Sequence, residues 1–198
     1  MSTETNKIEA NPKPFMTLYS ATNKVKNMAI HAFVHTQGVV FGRNYIPLEV
    51  AYMDVTGAVV HFRIKSPMSF MEAKRNFPHI RPDVIMCKET GVDYVYALEM
   101  LRQHVQRLMD VFQTSHIVVG YKGDSFQPQI LLHAGIQHMV NVEKFNVPAL
   151  RHLGQTYDPN CPFHKYPTSK CAHRAVHLVW QMLHQKHVST FGQSNLLH

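Results

Sequence analysis

The spacing of the apolar residues changes along this chain, and that change limits the folds open to it. Over residues 29–40 Ile30, Ala32 and Val34 alternate with His31, Phe33 and His35, and residues 49–54 and 59–65 alternate in the same way across Val55-Thr56-Gly57-Ala58. Period two belongs to strands, and a short link between two such runs predicts a hairpin. Three antiparallel strands are therefore expected to open the fold, with a turn over residues 42–47. Residues 66–92 hold Pro67, Pro78, Pro82 and Gly91, which predicts loop with short helical pieces. The period then becomes three and four: Leu98, Leu101, Val105, Leu108 and Phe112 share one face of a helix over 93–113, with Asp93 as its candidate cap. Residues 116–121 suit a short buried strand, Pro128 opens a helix that stops at Gly135, and residues 139–142 form a further strand. A final helix over 172–186 places Val176, Val179, Trp180 and Leu183 on one face. The predicted succession is β-β-β-α-β-α-β-α, an α/β fold with a mixed sheet flanked by helices.

A chain of 198 residues that is 45% hydrophobic can bury one sizeable core. The expected organisation is a flexible leader over 1–14, one domain over 15–187 and a flexible tail over 188–198. Residues 1–14 have no apolar run of the signal-peptide kind, and eighteen apolar residues never follow one another, so neither secretion nor a membrane segment is expected. A net charge of +7 and a pI near 9.4 favour a polyanionic partner, although the basic residues are scattered, with short clusters only at Lys24/Lys26 and Lys74/Arg75.

The most specific local signal is Cys161-Pro162-Phe163-His164 followed by Cys171. Thiolate and imidazole bind zinc well, a C-x-x-H turn delivers two ligands to one ion, and Cys171, just ahead of the final helix, supplies a third. A fourth ligand must come from elsewhere: Asp158, His173, His177 and His152 are near in sequence, and Glu49 is distant. Such an ion would pin a stretch between residues 150 and 172 that has little apolar content, and its binding would contribute folding free energy of about 10 kcal/mol. Thiolate ligation and an odd count of three cysteines fit a reducing compartment, the cytoplasm or the nucleus or both.

Residues 172–178, Ala-His-Arg-Ala-Val-His-Leu, resemble the last motif of Asp-Glu-Asp-Asp-His exonucleases, in which a histidine precedes a metal-binding aspartate by five residues; His173 is kept and Leu178 stands for the aspartate. Residues 118–127 resemble the middle motif, with Gln127 where an aspartate is expected and Asp124 nearby. In the first motif, Phe-Asp-x-Glu-Thr, this chain has Phe33-Val34-His35-Thr36-Gln37. Two-metal nuclease chemistry needs several carboxylates around ions about 4 Å apart. Val34, Thr36, Gln127 and Leu178 cannot supply them, so no catalytic residue is assigned.

Both signals meet in the Maelstrom domain, which residues 29–186 resemble. That family is related to the Asp-Glu-Asp-Asp-His exonucleases, has lost the catalytic acids in most animal lineages, and carries a Glu-Cys-His-Cys zinc set whose Glu lies on an early strand after a Pro. Ile46-Pro47-Leu48-Glu49-Val50, Cys161, His164 and Cys171 match that set in order and context. The resemblance implies an RNase H-like fold with a C-terminal segment stapled by structural zinc at Glu49, Cys161, His164 and Cys171. It further implies single-stranded RNA binding in piRNA-type small-RNA silencing, with protein partners in a silencing complex, or viral or transposon antagonism of that process. Unlike many Maelstrom proteins, the sequence has no high-mobility-group box ahead of the domain. Tyr121/Lys122 and Phe163/Lys165/Tyr166 are the candidate stacking and phosphate contacts. Two other readings stand beside this pseudo-exonuclease: an active nuclease using relocated acids such as Asp54, Asp124 and Glu143 or a metal-independent route, and a protein-interaction module without a nucleic-acid role.

Overall fold

In a computed structural model, residues 29–41, 44–66, 69–76, 78, 91–123, 126–153, 161, 163 and 171–192 are described. Strands β1 (Ala32–Phe41), β2 (Asn44–Asp54) and β3 (Val59–Arg63) form the antiparallel meander that the alternation predicts. The chain then runs through α1 (Phe70–Asn76), α2 (Tyr94–Phe112), β4 (Val119–Tyr121), α3 (Phe126–His133), β5 (Met139–Asn141) and two 3-10 turns (Val142–Phe145 and Leu150–His152) to α4 (Ala172–Gly192). β4 joins β1 in parallel and β5 joins β4 in parallel, giving one mixed sheet in the order β3-β2-β1-β4-β5.

Alternation along β1 and β2 divides the core between the two faces of the sheet. Ala32, Val34, Val50 and Tyr52 pack with Leu101, Val105 and Leu108 of α2 and with Ile130 and Leu131 of α3. Phe33 and Ala51 pack instead with Val176, Val179, Trp180 and Leu183 of α4. A one-residue slip would exchange the two sets, which fixes the register. The β2–β3 turn is closed by the buried Asp54 carboxylate, which accepts from Tyr52 Oη (2.9 Å), Thr56 N (2.8 Å), Thr56 Oγ1 (2.6 Å) and Ala58 N (3.2 Å).

Several boundaries differ from expectation. β2 starts at Asn44, so the turn expected over 42–47 is mostly strand, and Pro47 lies inside it. The proline is tolerated because a bulge between Gln37 and Gly38 leaves Leu48 as the extra residue, with Gly38 opposite Pro47. A Cβ on Gly38 would run into the Ile46 carbonyl. Asp93 stands at the α2 N-cap in an extended conformation, but its side chain makes no capping bond. The strand expected over 116–121 is reduced to three residues, and α4 continues to Gly192 where 188–198 was expected to be a flexible tail. The leader over 1–14 and residues 193–198 lie outside the described residues. No helix among the described residues is long and apolar enough to cross a membrane.

Candidate metal centre

Glu49 is a buried carboxylate in the middle of β2, on the face that receives α4. Its Oε2 accepts the N–H of Ala172 at 2.8 Å, so the strand holds the first turn of the helix through one of the amides that helix termini leave unsatisfied. Its Oε1 lies 3.0 Å from His61 Nε2. Both side chains are enclosed, yet the two atoms are not aligned as donor and acceptor, and His61 Nε2 makes no hydrogen bond. His61 comes from β3: pairing of Glu49 with Arg63 and of Ala51 with His61 makes His61 the diagonal neighbour of Glu49 on the same face. Cys161 Sγ approaches the other edge of the ring, 3.9 Å from Nδ1. Donor atoms of Glu49, His61 and Cys161 all lie within 4.8 Å of one another, a group that could hold a metal ion.

Cys171, the residue before α4, stands beside this group. Its Sγ accepts from Arg174 N at 3.4 Å and interacts with the Cys161 thiol. Burial pushes the Cys171 thiol up to about 12, against the pull of the Arg174 N–H, and Glu49 and Cys161 push it further in the same direction. A buried thiolate next to a carboxylate is costly without a compensating cation, and carboxylate, imidazole and two thiols are donors that zinc accepts. The donor set fits zinc. Around a tetrahedral ion the donors stand about 3.3–3.8 Å apart, given bonds of about 2.0–2.3 Å. One ring nitrogen serves the ion, so closure requires either the Glu49 or the Cys161 contact to move round the His61 ring.

Aromatic rings wall the centre. Phe163 meets His61 edge-on at 4.7 Å and lies under the Arg63 guanidinium, which docks Phe163 on β3. His173 stacks on His61 at 5.3 Å and meets His177 at 4.7 Å. Burial first, then His177 and His61, lower the His173 pKa to about 4, with Glu49 opposing. His173 is thus part of the wall beside the candidate ligands.

Of the four sequence-expected ligands, Glu49 and Cys161 share the group with His61, Cys171 adjoins Cys161, and His164 lies outside the described residues, as does Asp158. His152 is exposed on the second 3-10 turn. His61 was missed because a histidine in an alternating strand carries no ligand spacing. The four-residue hairpin link held the signal, since pairing Met53 with Val59 sets the register that puts His61 beside Glu49.

The positions that the sequence resemblance aligns with exonuclease acids lie on β1, α3 and α4. Gln127 Oε1 accepts from both Thr36 N and Thr36 Oγ1 at 2.9 Å, and Gln127 Nε2 donates to Thr36 O at 2.8 Å. Val34 is packed in the core against α2 and α3, and Leu178 is buried. Of the expected nucleic-acid contacts, Lys165 and Tyr166 lie outside the described residues, and Tyr121 is partly buried against the core. Lys122 requires a correction: it is buried, with Nζ donating to Glu143 Oε1 at 2.9 Å and to Val147 O at 3.1 Å, so its ammonium is not presented to a phosphate. That pairing holds the Glu143 carboxyl below the usual range. No protein-family model matches the chain, and no curated protein matches it.

Proposed function

We propose that the chain is a non-catalytic RNase H-like domain of the Maelstrom type, stapled by a structural zinc ion, that binds single-stranded RNA. The observation that carries the non-catalytic reading is the Thr36–Gln127 clasp. Thr36 and Gln127 stand where the exonuclease motifs place metal-binding acids, and each polar group of the Gln127 amide is committed to Thr36 instead. A strand order of β3-β2-β1-β4-β5, with only β2 running against its neighbours, supports RNase H-like ancestry. Zinc, when bound, would supply charge compensation and a cross-link between the β2–β3 hairpin and the start of α4; Glu49, His61, Cys161 and Cys171 would hold it.

The relocated-acid alternative is not favoured. Asp54 is consumed by the β2–β3 turn and Glu143 is paired with Lys122, while Asp124 lies outside the described residues. RNA binding rests on the net charge of +7 and on the family resemblance, which also suggests a place in small-RNA silencing, with protein partners, or in its antagonism. Labelled single-stranded RNA incubated with and without magnesium and EDTA tests the reading. Expected are binding that weakens at least about tenfold between 50 and 200 mM salt and no cleavage in magnesium. Lys122→Ala should lower stability while leaving the salt slope unchanged. Magnesium-dependent cleavage abolished by EDTA would overturn the non-catalytic reading, and absence of binding at low salt would overturn the RNA reading.

A further inference from the structure

On the side of the sheet away from β3, His116 and His138 stand at the entrances to the parallel strands β4 and β5. Pairing of Val119 with Met139 and the Val119 N–H bond to His138 O (2.9 Å) hold the two entrances side by side, and Thr114 Oγ1 accepts the His116 N–H at 3.1 Å. Both side chains are exposed, their ring planes are nearly perpendicular (77°), and His116 Nδ1 faces His138 Nε2 across 3.3 Å. Two imidazole nitrogens on one tetrahedral ion, with bonds of about 2.05 Å, lie about 3.3 Å apart. We infer that His116 and His138 form a second, exchangeable site for a borderline divalent transition-metal ion such as Zn2+, Ni2+ or Cu2+, because the strand entrances already hold the two nitrogens at the spacing of a chelate edge.

Without a metal the two rings share one N–H, and ligation shifts that proton to the other nitrogen of the same ring. Among the described residues no third metal-ligating side chain joins the pair, so water or a solute completes the coordination. His138 also lines a cavity of about 270 Å³ with Arg102, Gln106, Ser115 and Gln137, which leaves room for such a solute beside the ion. This inference is independent of the zinc reading at Glu49, because it uses other strands and other ligands.

Titration of Ni2+ into the zinc-replete protein tests it. The wild type should bind with micromolar affinity, His116→Ala and His138→Ala should each weaken binding at least tenfold, and His133→Ala should change it little. On the unmodified protein, substoichiometric Ni2+ should broaden the ring resonances of His116 and His138 before those of other histidines. Wild-type affinity in both variants, or earlier broadening at other histidines, would overturn the assignment.

Discussion

Glu49 and Asp54 are two buried carboxylates on the same strand, but their surroundings give them different work. Asp54 accepts four bonds at the β2–β3 turn, whereas Glu49 faces His61 and the first amide of α4. Asp54→Ala should cost about 3 kcal/mol, because Tyr52 Oη and the turn amides lose their acceptor, and it should leave metal content unchanged. Glu49→Ala should instead strip the metal. Urea titration with elemental analysis of both variants checks this, and equal metal retention would remove Glu49 from the ligand set. His35 gives a pH dependence. It is fully buried, and desolvation lowers its pKa from 6.5 to about 4, with Glu49 opposing and Lys122 assisting. Between those values the unfolded chain takes up a proton that the folded one refuses. His35's contribution is therefore complete above pH 6.5 and is lost as the pH falls towards 4, by up to about 3 kcal/mol. Urea midpoints for wild type and His35→Gln should diverge at neutral pH and converge near pH 4; parallel profiles would remove His35 as the source. At this scale the sequence offered residue types but not their neighbours. Lys122 follows a strand and reads as a candidate phosphate contact, and only the fold brings Glu143 and the Val147 carbonyl to its ammonium.

The hairpin β2–β3 and helix α4 are the elements whose union defines the candidate centre. Both were legible, the first from alternation across a four-residue link and the second from Val176, Val179, Trp180 and Leu183 at helical spacing. What was not legible was where they end. Pro47 suggested a turn, but the Gly38 bulge absorbs it within a strand, and α4 continues past 186, where the apolar stripe that revealed it has run out. If the metal joins these elements, its removal should loosen them before the rest. Hydrogen exchange after treatment with a zinc chelator should therefore lose protection first at the start of α4 and in β3, while α2, packed on the opposite face, keeps its slow amides. Uniform loss of protection across both faces would place the metal's contribution in the whole fold rather than in this junction.

Across the whole molecule, the local half of the candidate centre was readable and the distant half was not. Cys161 and Cys171 announce themselves by spacing, and Glu49 was reached through the family resemblance, although 123 positions separate Glu49 from Ala172, the residue it bonds. His61 depends on strand pairing and on loop docking through Phe163, neither of which leaves a motif. The α/β class followed from the succession of periods, whereas the order of the strands in the sheet required the pairing of β1 with β4. On the proposed reading, one zinc ion joins this sheet to its last helix, and no catalytic ions organise the fold. Elemental analysis of the gel-filtered protein, with His61→Ala, Cys161→Ser and Cys171→Ser beside the wild type, tests it most directly. Close to one zinc per wild-type chain is expected, far less in each variant, and a lowered Tm wherever zinc is lost; wild-type protein without zinc that is as stable as the zinc-supplemented sample would overturn the zinc staple.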